Sequence, residues 1–217
     1  MLSALSRPEF INKLQLQLAC EPLPGLSAHL KMAHPVKKSN PFSISPDVRN
    51  AAVLMVLFEN ESNNFNLLFI RRTTVENGDK HSGQIAFPGG KSEPSDPDLM
   101  YTALREAEEE IGIDLSEIDV LGSLSPIYIN VSNFMVYPYL SYAINKPALI
   151  RQEAEIEEIL ELSLASFQDP SARQETKIHL SKEVTLNHVP CFNIAGTIIW
   201  GATAMIMNEF LEILDWV

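Results

Sequence analysis

Cysteine is scarce in this chain of 217 residues: there are two, Cys20 and Cys191, far apart and in no paired motif. That excludes a disulfide framework and a thiolate zinc site as organising devices, and it fits thiols in a reducing compartment. Basic charge is short as well. Lys and Arg number 16 against 28 Asp and Glu, a formal net charge of −12 with a pI near 4.8. Without a basic field nothing can replace the counterions of a nucleic-acid backbone, so no nucleic-acid partner is expected. Long apolar runs are missing too. "AAVLMVLF", Ala51 to Phe58, is far too short to span a bilayer, and no membrane partner is expected. The opening "MLSALSRPEFINKLQLQLACE" lacks the apolar centre of a secretory signal, and Glu9 and Glu21 argue against an organelle-targeting helix. The closing "DWV" is not a peroxisomal address, so a cytoplasmic location is the expectation. There is no internal repeat and no low-complexity tract.

What is present is 46% hydrophobic and 20% charged, an ordinary globular composition. The length allows one sizeable domain plus an extension, placed at 46–217 and 1–45. Within the extension, residues 7–19 predict a helix opened by Pro8 with Phe10, Ile11, Leu14 and Leu18 on one side. The Pro- and Ser-rich stretch after it predicts irregular chain. "AAVLMVLF" and "FNLLFIRR" predict a hairpin about "ENESNN", and "QIAFP" a short strand that breaks at Pro88-Gly89-Gly90. A helix is predicted over roughly 97–111. "DVLGSLSPIYI", "FMVYPYLSYAI" and "EIEEILELSL" predict strands, "LASFQDP" a short helix or turn, and "EVTLNHVPCFNIAG" one or two more strands. The end, "IIWGATAMIMNEFLEILDWV", has helical spacing at Trp200, Ala204, Met207, Leu211 and Leu214. Strands mixed with helices to either side predict an α/β sandwich with a mixed sheet.

The acidic excess is uneven. In "REAEEEIGI", Glu106, Glu108, Glu109 and Glu110 fall within five positions, where like charges repel on a helix. Asp96 reads as the N-cap, Pro97 as N1 and Gly112 as the left-handed residue after the helix. With Met100 set at zero on a wheel of about 100° per residue, Ala103, Leu104, Ala107 and Ile111 form the core stripe. Glu106, Glu109 and Glu110 share one flank, and Glu108 lies on the other side. Three converging carboxylates make a hard oxygen cluster suited to Mg²⁺ or Mn²⁺; the alternative is a solvated acidic face. The preceding "FPGGK" lets backbone approach a ligand closely, or is a plain strand-to-helix turn.

Together Gly90, Asp96, Arg105, Glu106, Glu109, Glu110 and Gly112 resemble the Nudix box, G-x5-E-x7-R-E-U-x-E-E-x-G-U with U apolar. Asp96 stands where Glu is usual, and eight residues rather than seven separate it from Arg105. With "HSGQIAFPGGK" ahead of it, His81 to Lys91, the segment is similar to the branch of Nudix hydrolases that cleaves coenzyme A. Between "RRTT" and His81 the loop is longer than in that branch. The resemblance covers roughly residues 46–217 and implies a Nudix-type α/β/α sandwich. It implies metal ligands at Glu106, Glu109, Glu110 and the Gly90 carbonyl, with Arg105 orienting a carboxylate. It implies a general base at Glu106 or at a downstream acid, Glu153, Glu155 or Glu158. Arg71, Arg72, Lys80, His81 and Lys91 become candidates for the extra phosphate of coenzyme A. Phe87 and Trp200 read as core. The implied reaction is hydrolysis of the diphosphate of coenzyme A or acyl-coenzyme A, giving 3′,5′-ADP and (acyl-)4′-phosphopantetheine. The alternatives are a Nudix diphosphatase for ADP-ribose, dinucleotides or nucleoside triphosphates, and a non-catalytic nucleotide-sensing module. The partner is a small-molecule diphosphate, with a homodimer left open.

Overall fold

A capping box starts α1 (Arg7–Leu18): the Ser6 N–H donates to the Glu9 carboxylate at 2.9 Å. Phe10, Leu14 and Leu18 of this helix are buried, one turn apart, as the spacing predicts. The computed structural model describes residues 6–20, 22–35, 44–73, 83–180 and 184–217. The stretch read as irregular contains a second helix, α2 (Gly25–Lys31). It is short and lacks a strong apolar stripe, and it forms because it packs on the C-terminal helix rather than from its own propensity.

Next come β1 (Arg49–Glu59) and β2 (Phe65–Arg72), which form the expected antiparallel hairpin. The short β3 (Ile85–Ala86) pairs with β2. Gly89–Lys91 is not a turn but a strand, β4, antiparallel to Ala51–Val53 of β1. Glycine has little strand preference, so the neighbouring β1 edge imposes this conformation. After α3 (Leu99–Ile111) the single stretch "DVLGSLSPIYI" divides at Leu124–Pro126 into β5 (Ile118–Ser123) and β6 (Ile127–Ile129). Then follow β7 (Phe134–Ala143), β8 (Ile156–Ser163) and α4 (Leu164–Gln168). A strand not anticipated, β9 (Arg173–His179), joins β10 (Thr185–Ile194) and β11 (Thr197–Trp200) in a three-stranded sheet. The last helix, α5 (Gly201–Leu214), therefore starts only after Trp200.

The large sheet has eight strands; β1 and β7 run parallel along ten paired positions while the other pairings are antiparallel, so the sheet is mixed. Alternation along β1 sends Ala52, Leu54, Val56 and Phe58 to one face and Ala51, Met55 and Leu57 to the other. The first set meets Ala103, Ala107 and Ile111 of α3. The second meets Phe10, Leu14 and Leu18 of α1 and Met207, Phe210 and Leu214 of α5. Helices cover both faces, and the architecture is the Nudix-type α/β/α sandwich. Phe87 is buried and stacks on Phe69. Among the described residues no helix is long and apolar enough to cross a membrane.

Candidate active site

The acid-bearing helix is fixed at both ends. Asp98, not Asp96, is its N-cap: its carboxylate accepts from the Tyr101 N–H at 2.7 Å. At the other end Gly112 has φ 62° and its N–H donates to the Glu108 carbonyl at 2.9 Å. The core stripe is also rotated from the wheel reading. Met100 is 39% exposed, whereas Thr102, Ala103, Ala107, Glu110 and Ile111 are buried. The packed face thus turns toward the flank that carries Glu110.

Asp96 is freed from capping to hold Arg105. Its oxygens accept from Nε at 3.0 Å and Nη2 at 3.1 Å, and the Thr102 hydroxyl donates to it at 2.9 Å. The Arg105 bond, foremost, holds the Asp96 carboxyl well below the usual carboxylate range. Arg105 also meets Glu106 at 3.0 Å, Glu109 at 3.1 Å and the Lys91 carbonyl at 3.3 Å. It is a five-donor fork that ties α3 to the end of β4 and sets two carboxylates.

Glu106 lies directly over Gly90: a Cβ there would fall 2.3 Å from its Oε2. No other residue leaves room for that approach. Glu110, one turn on, is buried; it accepts from the Gly89 N–H at 2.8 Å and meets Arg72 at 3.2 Å. Burial pushes its carboxyl up to about 7 against those two contacts, and the charges of Glu106 and Glu155 add to the rise. Glu106 is raised too, first by burial, with Arg105 opposing and Glu109 and Glu155 adding. Glu109 stands apart, with 59% of its side chain exposed and turned to Arg105. Among the described residues no three acidic, His or Cys side chains already meet as a metal site. The donor chemistry nevertheless fits a divalent cation: hard carboxylate oxygens, one of them under-compensated, around a glycine cradle that a Cβ would fill.

The other sequence candidates separate. Glu158 is paired with Arg71 at 3.1 Å, and Glu153 with Arg151 at 3.5 Å. Glu155 instead stands where its charge bears on both Glu106 and Glu110. Arg72 reaches Glu110, Lys91 is exposed at the end of β4, and Lys80 and His81 lie outside the described residues.

A cavity of about 630 Å³ adjoins this cluster, with Arg72, Gly89, Gly90 and Lys91 in its lining. Its walls are mainly apolar and come from distant parts of the chain, among them Met32 and His34, Val53, Val136, Val189, Ala202, Thr203, Met205 and Ile206. The sequence reading placed Trp200 in the core; it is half-buried and lines this cavity. Met32, His34, Val136 and Val189 carry no motif, and only their assembly reveals them.

Residues 48–183 match the Nudix domain family. Over 204 residues the chain is 33% identical to proteins described as an uncharacterized Nudix hydrolase, NudL, from Yersinia pestis (strain Pestoides F) and Yersinia pseudotuberculosis (serotype O:1b, strain IP 31758), covering 94% of this chain and 92% of each relative. In fold it is similar to the crystal structure of RenU, a Nudix hydrolase from M. smegmatis, with a TM-score of 0.50 at 12% identity over 77% of this chain and 84% of that one. The box residues, the sandwich and these likenesses agree, and the chain belongs to the Nudix hydrolase family, as a diphosphohydrolase.

Proposed function

We propose that this chain hydrolyses the diphosphate of coenzyme A or acyl-coenzyme A to 3′,5′-ADP and (acyl-)4′-phosphopantetheine, with Mg²⁺ or Mn²⁺ as cofactor. One observation carries the reading. The strand that cradles Glu106, β4, also lines a large and mainly apolar cavity, so a diphosphate centre and a site for an apolar substrate arm share three residues. Glu106, Glu109, Glu110 and the Gly90 carbonyl would hold the cation. When bound, it would neutralise phosphate charge and lower the pKa of water. Arg105 keeps Glu106 and Glu109 in place through its anchor on Asp96. Arg72 and Lys91, in the cavity lining, meet the substrate's phosphates.

Glu155 is the base in this reading, because its charge bears on Glu106 and Glu110 while Glu153 and Glu158 are tied to arginines. It takes the proton of the attacking water. The water oxygen bonds to phosphorus, the bond from that phosphorus to the bridging oxygen breaks, and the second phosphate leaves with the bridging oxygen.

The test is product-resolved hydrolysis of coenzyme A, dephospho-coenzyme A, ADP-ribose, dinucleotides and nucleoside triphosphates, with Mg²⁺, Mn²⁺ or EDTA. The expected result is the highest kcat/KM on coenzyme A, with 3′,5′-ADP released and activity abolished by EDTA. Preference for ADP-ribose would establish the broader diphosphatase reading instead. Turnover of nothing on the panel would leave a nucleotide-sensing module.

A further inference from the structure

We infer that the cavity beside β4 is a subsite for an acyl chain, and that Met205 closes it toward α2 and so sets the chain length accepted. This rests on the proposed hydrolysis of an acylated diphosphate, which brings the chain in tethered to the phosphates.

The cavity is divided by chemistry. Arg72 and Lys91 stand with Gly89 and Gly90, next to the acidic cluster, and much of the remaining lining is aliphatic, including Val136, Val189, Met205 and Ile206. Its volume of about 630 Å³ lies within the range of ligand pockets, roughly 300–1,000 Å³. It is roughly four times the size of an apolar cavity that admits benzene. A nucleoside buried there would leave many of its polar groups without partners, whereas an aliphatic chain needs none.

Met205, 4% exposed, also lines a second cavity of about 200 Å³, whose other walls include Leu26, Leu30 and Ala33. One side chain therefore borders both spaces. Methionine is unbranched and adaptable, which suits it to a partition that a chain can press against. The wall behind it is firmly held. Glu209 accepts from the Gly25 N–H at 3.0 Å and meets His29 at 2.8 Å, and Asn208 donates to the Ala28 carbonyl at 2.9 Å. On the other side Ala202, in the first turn of α5, is small enough to leave the main cavity open. The segment before the Nudix match thus becomes part of substrate selection, through α2 and Met32.

The test compares kcat/KM for coenzyme A and its acetyl, butyryl, hexanoyl, octanoyl and lauroyl thioesters. For wild type, kcat/KM should rise by up to about fourfold per methylene while the chain is being buried, then level off. Met205→Ala should move that break to longer chains and Ala202→Leu to shorter ones, with unacylated coenzyme A changed by less than about threefold in either. A flat wild-type profile, or variants that scale every substrate alike, would overturn the inference. If Met205→Ala fails to fold, the wild-type profile and Ala202→Leu still decide. A calorimetric titration with octanoyl-pantetheine, which has the chain and no diphosphate, separates the two readings. Binding that Ala202→Leu weakens, without any turnover of coenzyme A, would sustain the subsite and remove the proposed reaction. Turnover of coenzyme A without such binding would do the reverse.

Discussion

Two glutamates on two helices are buried to nearly the same degree, Glu110 of α3 at 3% exposure and Glu209 of α5 at 0%, yet their surroundings differ in kind. Around Glu209, burial would raise the carboxyl, but hydrogen bonds from His29, Ser125 and Gly25 outweigh it and keep the group below the ordinary range. Around Glu110 the Gly89 N–H and Arg72 are not enough, and the carboxyl is pushed up to about 7. Burial alone therefore says little. What separates a joint that ties elements together from a group poised for chemistry is whether the local donors compensate the buried charge.

The largest expected effect follows from that difference. Glu110→Gln should lower kcat by more than about a hundredfold, since an amide of the same shape brings no negative charge to the cation. Glu108→Gln, on an exposed position of the same helix, should change kcat by less than about threefold. Steady-state kinetics with Mg²⁺ checks both. An active Glu110→Gln would place Glu110 among the joints rather than the poised groups.

Next in size is the converse change. Glu209→Ala should destabilise the fold by about 3–5 kcal/mol in urea unfolding, because His29 and two backbone N–H groups lose their acceptor inside the protein. Its kcat, measured where the protein remains folded, should change little. Glu110→Gln should leave the cation-free protein as stable as wild type or more so, because it removes an under-compensated charge.

A smaller effect of opposite sign at the two sites is expected from pH. The folded-state pKa of Glu209 is depressed, so its contribution is present above its unfolded value near 4.3 and fades as pH falls through the folded value. For Glu110 the folded-state pKa is raised, so in cation-free protein stability falls as pH rises from its unfolded value to about 7. The slope from one such group is at most about 1.4 kcal/mol per pH unit. Unfolding free energies of wild type and of Glu110→Gln between pH 4.5 and 7.5 should therefore converge toward the acid end. Parallel curves would show that Glu110 does not titrate in this window.

The acidic cluster was legible because helical spacing is local: positions i, i+3 and i+4 meet wherever the helix sits. The choice between Asp96 and Asp98 was not. Both are acids beside Pro97, and only the fold brings the Arg105 fork to one of them. The α3 stripe departs from the wheel in its first turn, where Met100 stays 39% exposed while Thr102 and Ala103 are buried. Gly89–Lys91 escaped as a strand because the pairing partner at Ala51–Val53 decides it, not the glycines. Similarly β9, "RQETKIH", shows five exposed positions of seven and carries no apolar alternation. The cavity was illegible for a plainer reason. Met32, Val136, Val189 and Met205 meet only in three dimensions.

The smallest expected effect is at Tyr142, a third buried group, short of a partner. Among the described residues its hydroxyl is the buried side-chain N or O atom without a hydrogen-bond partner, on β7 near the ion pair of exposed Arg7 with half-buried Glu59. Burial raises this group too, with Arg7 opposing and Glu59 adding. It is therefore under-compensated like Glu110, but it is neutral at ordinary pH and stands outside the lining of the main cavity. If lack of compensation by itself marked function, Tyr142→Phe would impair catalysis. The expected outcome is unchanged kcat and a gain in stability of up to about 1 kcal/mol, because the phenylalanine keeps the packing and removes an unpaired polar atom. A loss of more than about 1 kcal/mol in urea unfolding would show that the hydroxyl makes a bond worth keeping. A loss of kcat in a stable variant would break the distinction drawn between the two glutamates, since uncompensated burial remote from the acidic cluster would then matter to the reaction as well.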